Sequence, residues 1–362
     1  MEILRVAQTV YPDVKGGGAY HVHAMSRDQA AMGHDVTVVT VGADGDCPRR
    51  DRRDGYTLVR LPSTATVFGN EISTAMARYL RRADGFDVVH AHSHIYFSTN
   101  LAALRRRLGG PPLAVTNHGL YSQTAPEWVF DLYLHSLGRW TFNRADVVFC
   151  YTDEDAERIA AYGVDTRFGV VPNGVDTDRF TPDGPRSDLI DHDGTVVLFV
   201  GRLVDGKRPQ DAVDAVAALP DRLDAKLYVV GDGPLRESLE ERADPETVAF
   251  LGHVPYDQMP AVYRSGDTLL LPSRAEGLPR TVLEAFASET PAVTSRLPQT
   301  AEIVESGGRT VPVGDVAGYA EALERVLDDR EALGRSGRET VLDRFQWRET
   351  VVETTDHLAG LR

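Results

Sequence analysis

Lysine is scarce in this chain. Lys15, Lys207 and Lys226 are the only three among 362 residues, and arginine supplies the rest of the 39 basic side chains. Cysteine is rarer still: Cys47 falls in a polar loop and Cys150 in an apolar strand run. Two such cysteines make neither a disulfide framework nor a metal-ligand spacing, so a reducing compartment is expected. No apolar run is long enough to cross a bilayer, and Met1-Glu2-Ile3-Leu4-Arg5 enters a strand pattern without a leader-like segment. The expected location is cytoplasmic, or peripheral at the inner face of the membrane. Excess positive charge is also missing. A net charge of −15 argues against a nucleic-acid partner held by a broad basic face. The Asp-rich, lysine-poor usage points to a halophilic protein, although a GC-rich genome produces the same bias. Solenoid-length repeats and low-complexity segments are absent.

What is present is a regular alternation. The length suits two domains, each with its own core. β-branched strand patterns at 2–7, 35–41, 56–61, 87–91, 112–116 and 146–151 alternate with helical patterns at 19–32, 71–82 and 96–108. A second series has strands at 195–200, 226–230, 247–251, 267–271, 291–295 and 310–313. Its helices are predicted at 209–219, 235–242, 259–265, 280–288, 316–327 and 330–344. Alternation of this kind predicts parallel α/β layers. Pro172-Asn173-Gly174-Val175-Asp176 and the Asp/Pro/Gly-rich stretch 181–194 mark a hinge between the series. The expected fold is α/β, two doubly wound Rossmann-like domains facing each other across a cleft, with ligands at the carboxyl ends of the strands.

Residues just past those strand ends are therefore the candidates. Ser273-Arg274-Ala275-Glu276-Gly277-Leu278-Pro279-Arg280 leads from a strand into a helix that contains Glu284. Strand, glycine turn and helix N-terminus form an anion-binding corner. Two carboxylates bracketing it suit the gripping of sugar hydroxyls, and suit a solvated loop and helix face equally well. Gly201-Arg202 with Lys207 reads as a phosphate clamp, the arginine offering a fork and the lysine a point charge. Gly231-Asp232-Gly233-Pro234 is a turn by composition. In the first series, Gly16-Gly17-Gly18 opens a helix and allows close ligand approach, or is a plain flexible turn. His90, His92 and His94 share one face if extended, and a pocket role for His90 is preferred over a metal site. His118, in Thr116-Asn117-His118-Gly119, is either a site histidine or a structural one. Asp44-Gly45-Asp46 is read as a turn.

Together these segments resemble family 4 of the retaining glycosyltransferases, which have the GT-B fold. The resemblance covers essentially the whole chain. Its most specific part is Glu276 to Glu284 with seven residues between, supported by Val171-Pro172-Asn173-Gly174-Val175-Asp176 and by Phe345-Gln346-Trp347. It implies an acceptor-binding domain over 1–171 and a nucleotide-sugar-binding domain over 172–345, with 346–362 packing back on the first. The partners it implies are a nucleotide-diphospho-sugar donor and a saccharide or lipid-linked acceptor. Arg202 and Lys207 would hold the diphosphate, aided by the amides of Gly17 and Gly18. Glu276 with Gly277, Leu278, Pro279 and Arg280 would hold the sugar, and Glu284 the ribose. His118 would face the anomeric centre, with His90 and Asn173 lining the cleft. Arg202, Lys207, His118 and Glu276 would thus do the chemistry, with no cofactor and no metal. One departure is Lys207-Arg208-Pro209, where the family often has Lys-Gly. Arg81-Arg82, Arg105-Arg106-Arg107 and the aromatic-rich run 128–134 suit a membrane surface, or ordinary packing and solvation. A sugar-nucleotide epimerase and a non-catalytic sugar-nucleotide binding protein are the alternatives.

Overall fold

A computed structural model describes residues 1–42, 49–120 and 127–362. Cys47 and the Asp44-Gly45-Asp46 turn lie outside the described residues. The chain divides into two compact units, Met1–Pro172 with Thr350–Arg362, and Asn173–Glu349.

The first unit contains strands β1 (Glu2–Val6), β2 (Asp35–Val41), β3 (Arg50–Arg53) and β4 (Tyr56–Leu61). A small hairpin, β5 (Ala65–Val67) and β6 (Asn70–Ile72), precedes β7 (Val88–His92), β8 (Leu113–Thr116), β9 (Val147–Cys150) and β10 (Phe168–Val170). The main sheet runs β10-β9-β8-β7-β1-β2-β4-β3. Alternate residues of β1 point to opposite faces, as the strand period requires. Leu4 and Val6 join a cluster with Met76, Leu80, Ala102 and Phe142. Ile3 joins the other face with Val22, Val36, Val38, Leu58 and Leu358. Helices cover both faces, so the unit is doubly wound. The expectation of wholly parallel strands fails at one edge, where β3 pairs antiparallel with β4. β3 is Arg-Asp-Arg-Arg and has no apolar pattern to betray it. Its neighbourhood is fixed by charge instead: the nearly buried Arg60 pairs with Asp13 at 2.5 Å and Asp51 at 2.9 Å.

The second unit contains β11 (Thr195–Val200), β12 (Ala225–Val230), β13 (Val248–Gly252), β14 (Thr268–Leu271), β15 (Ala292–Ser295) and β16 (Gly308–Val311). They form one sheet in the order β13-β12-β11-β14-β15-β16, with every pairing parallel. Val197, Phe199, Leu227, Leu270 and Val293 pack beneath helices Pro209–Ala217 and Val316–Asp328. The chain order reverses beside β11, between β12 and β14, and ligands in such sheets gather at that reversal.

Candidate active site

In the second unit the carboxyl ends of β11, β12 and β14 bring the candidate residues together. Two loops nest at the first two strand ends. Gly201 N donates to Val230 O at 2.9 Å and Leu203 N to Asp232 O at 3.0 Å. The nesting demands glycine. A Cβ on Gly231 would meet Gly201 O at 1.9 Å, and one on Gly233 would meet Leu203 O at 2.4 Å. Arg202 emerges exposed from this nest. The one-turn helix Asp205–Lys207 follows, and Arg274 N bonds Gly206 O at 2.9 Å, tying the loop after β14 to it.

That tie sets Lys207 against Glu276. The ammonium bonds Glu276 Oε1, and both side chains are largely withdrawn from solvent, 14% and 6% exposed. A solvated loop carboxylate is thereby excluded for Glu276. Arg208, the departure from Lys-Gly, adopts φ 49° and forks onto Asp211 at 2.6 and 3.1 Å in the first turn of the helix that starts at Pro209. It holds its own helix, and Lys207 keeps its position.

Gly277, Leu278, Pro279 and Arg280 are buried and lead into helix Arg280–Ala287. Glu284, one turn on, is buried as well. Tyr256 donates to its Oε1 at 2.9 Å and Tyr263 to its Oε2 at 3.0 Å, while Arg280 Nε stands 3.6 Å from Oε1. Burial raises the Glu284 pKa above the usual carboxylate value, against the opposing pull of Arg280 and the two hydroxyls. The surface reading of Glu284 is therefore corrected: its carboxylate sits inside a tyrosine–arginine network. Arg280 also donates to Asn173 Oδ1 at 3.4 Å, Gly174 O at 3.2 Å and Tyr256 Oη at 3.0 Å. Asn173 is 4% exposed and serves as an anchor for Arg280. Neither tyrosine has a motif, so sequence reasoning gave no signal for them.

In the first unit, Gly17 and Gly18 open helix Gly17–Ala31 and are exposed. His118 follows β8 and is half-buried. Its Nε2 lies 3.1 Å from His92 Nδ1, its Nδ1 lies 2.6 Å from Tyr151 Oη, and His21 meets its ring edge-on at 5.2 Å. Burial pushes the His118 pKa down to about 4. His90 and His92 share a face of β7, as alternation predicts. His94 does not: Ser93 adopts φ 64°, and His94 turns away to pack on Phe142 at 4.7 Å. No group of three His, Cys, Asp or Glu side chains is placed to hold a metal ion among the described residues. His90 is a correction. It is fully buried inside the unit, 2.7 Å from Thr116 Oγ1 and 3.3 Å from Arg5 Nη2, and lines no open surface. Arg5, His21 and Tyr151 were not singled out from the sequence as site residues, yet His21 and Tyr151 surround His118 together with His92, and Arg5 stands behind His92. The one available signal was a charge at the centre of the apolar run Ile3-Leu4-Arg5-Val6.

Comparisons with known proteins bear on the family and the fold. Residues 15–179 match Glycosyltransferase Family 4 and residues 194–329 match Glycosyl transferases group 1. The chain is 30% identical to a glycogen synthase of Mycobacterium tuberculosis over 100% of its length and 95% of that protein's. It is 28% identical to a GDP-mannose-dependent alpha-(1-6)-phosphatidylinositol monomannoside mannosyltransferase of Mycolicibacterium smegmatis, covering 97% of each. The Anabaena HepE protein, solved in complex with UDP-glucose, superposes with a TM-score of 0.80 at 19% identity, over 99% of this chain and 100% of that one.

Proposed function

The chain belongs to the family 4 glycosyltransferases, and from that premise we propose a retaining, metal-independent transfer of a hexose-type sugar. The donor is a UDP- or GDP-sugar, and the acceptor is a hydroxyl of a saccharide, a lipid-linked saccharide or a small molecule. The observation that carries this reading is the Lys207–Glu276 pair beside Arg202, at the strand ends where the parallel sheet reverses. Arg202 and Lys207 hold the diphosphate and take up the charge that develops on it as it leaves. Glu276, oriented by Lys207, accepts hydroxyl hydrogens of the donor sugar. Each Glu284 oxygen retains lone-pair capacity beyond its tyrosine, and we assign it the ribose side. Gly17 and Gly18 offer amides to the phosphates.

In the step itself, the bond from the anomeric carbon to the β-phosphate oxygen breaks with its electrons on that oxygen. The acceptor oxygen bonds the same face of the carbon, and its proton passes to the departing phosphate. Charge stabilisation and positioning are the protein's contribution. No resident cofactor is assigned. A donor and acceptor screen with mass detection, followed by anomeric assignment of the product and a chelator control, tests each part. Release of an epimerised nucleotide sugar, or binding without transfer, replaces this reading with one of the two alternatives.

The place of action proposed is the cytoplasm, at a membrane surface where the acceptor is lipid-linked. What supports it is helix Glu127–Tyr133, on which Trp128 is 72% and Leu132 61% exposed. No helix described is long and apolar enough to cross a membrane. Flotation with anionic vesicles at the salt of the assay tests it. Binding by the wild type and its loss in Trp128→Ser/Leu132→Ser is expected, and absence of wild-type binding removes the idea.

A further inference from the structure

The reading above leaves one costly group unused. Arg5 is fully buried at the centre of β1, and burial lowers its pKa to about 9. No carboxylate bonds it among the described residues. Its guanidinium goes to neutral acceptors: Nε to His92 Nε2 at 3.1 Å, Nη1 to Ser26 Oγ at 2.8 Å and Nη2 to Gln29 Oε1 at 2.7 Å, with His90 Nδ1 3.3 Å from Nη2. An uncompensated buried cation is expensive, so its retention calls for a reason.

A guanidinium donates through five N–H groups and accepts nothing. Every ring nitrogen facing it must therefore present a lone pair. His92 Nε2 is such an acceptor, so the proton of neutral His92 is on Nδ1. Nδ1 then donates to His118 Nε2 at 3.1 Å, which places the His118 proton on Nδ1, donated to Tyr151 Oη at 2.6 Å. On the other side, His90 Nδ1 accepts from Arg5, so His90 is protonated at Nε2 and donates to Thr116 Oγ1 at 2.7 Å. One cation thus sets two histidines of the same strand in opposite tautomers, and a third at one remove. We infer that Arg5 is a positioning residue, fixing the proton positions of His90, His92 and His118 so that His118 works as a neutral imidazole with Nδ1–H on Tyr151.

The consequence rests on the transferase reading. Glycosyl transfer passes through an oxocarbenium-like state with positive charge at the anomeric carbon. A second proton on His118 would oppose that charge. It would also set an Nε2–H against the Nδ1–H of His92, which Arg5 holds in place. The titratable groups facing His118 are His21 from helix Gly17–Ala31, His92 and His94 from β7 and the turn beyond it, and Tyr151 after β9, with His90 and Arg5 behind them.

Nitrogen-15 NMR of histidine-labelled wild type decides the point without any variant. At neutral pH, His92 and His118 should show a protonated Nδ1 and an unprotonated Nε2, and His90 the reverse. An Nε2–H tautomer at His92 or His118, or a doubly protonated ring, overturns the inference whatever the enzyme transfers. For the functional half, the wild-type kcat/KM profile should lack a limb near the ordinary histidine pKa of about 6.5. Arg5→Met should lose the Nδ1–H signature and lower kcat on the order of tenfold with donor KM unchanged. Arg5→Lys, which restores a donor, should recover both. A folded Arg5→Met with wild-type tautomers and wild-type kcat reduces Arg5 to a structural residue. Failure to transfer any sugar, with the tautomers as stated, counts against the transferase reading alone.

Discussion

Lys207 and Glu276, 69 residues apart in the chain, are bonded ammonium to carboxylate. The pair orients the carboxylate and ties the loop after β14 to the one-turn helix that ends at Lys207. Removing Glu276 takes this carboxylate from the Lys207 ammonium in a poorly solvated place, and removing Lys207 takes the orienting cation from Glu276. Lys207→Ala and Glu276→Ala should each lower kcat/KM by on the order of 1.5–3 kcal/mol of transition-state stabilisation. The double variant should cost less than the sum, with a coupling of about 0.5–3 kcal/mol. Strict additivity in steady-state kinetics would show that the two act independently.

Arg202 is exposed, and in the proposed role its guanidinium forks onto the diphosphate, which a shorter cation does not replace. Arg202→Lys should raise the donor KM and lower kcat, and Arg202→Ala should do so further, with unfolding temperatures close to wild type. Isothermal titration with the nucleoside diphosphate alone checks the ground-state share. Unchanged kcat/KM in Arg202→Ala removes the residue from the phosphate clamp.

Gly231 supports the Arg202 loop from beneath. Its φ of 131° and the 1.9 Å approach of a would-be Cβ to Gly201 O leave an alanine no place unless the Arg202 loop moves. Gly231→Ala should destabilise the protein by on the order of 2–4 kcal/mol and weaken diphosphate binding. Asp232→Ala alters only an exposed side chain that bonds its own turn at Gly233 N, and should be mild in both respects.

How far the sequence reached follows from what each feature depends on. Continuous apolar runs and glycine turns are local, so the strands ending at Val200, Val230 and Leu271 were legible, and so were the candidates just past them. β3 was not, because its stability lies in Arg60 and its partners rather than in a pattern. The hydroxyls on Glu284 come from Tyr256 and Tyr263, which only the packing of helix Met259–Ser265 and the turn before it against helix Arg280–Ala287 brings close. His90 followed the right rule to the wrong face. Its position at a strand end suggested access, and alternation turned it inward onto Arg5.

Asp155 gives a pH test independent of activity. It is 1% exposed, neither carboxylate oxygen has a hydrogen-bond partner, and burial, with Glu154 adding, raises its pKa from 3.8 to about 6. The sign follows from proton counts. Between those two values the unfolded chain has lost the proton and the folded chain keeps it, so this group's contribution falls as pH rises. The total is about 3 kcal/mol at most. Asp155→Asn removes the titration. Relative to that variant, the wild type should lose stability steadily from about pH 4 to pH 6 in denaturant melts. A pH-independent difference would mean the carboxyl is solvated.

The charge imbalance decides the last expectation. There are 54 acidic side chains against 39 basic ones, so 15 negative charges lack a counterpart however the pairs are drawn. Salt acts on this in two directions. It screens exposed pairs such as Arg325 with Glu321, which are worth about 0–1 kcal/mol each. It also screens the repulsion among unpaired carboxylates, which at a Debye length of about 10 Å in 0.1 M salt reaches across neighbouring helices. At 1 M that length is about 3 Å and the repulsion is essentially gone. Buried pairs such as Arg280 with Glu284 are shielded from the added ions. The repulsion term therefore dominates, and the unfolding temperature should rise by several degrees between 0.1 and 1 M potassium chloride, with loss of structure on desalting. A melting temperature that stays level or falls over that range would assign the lysine-poor composition to codon bias instead of a high-salt cytoplasm.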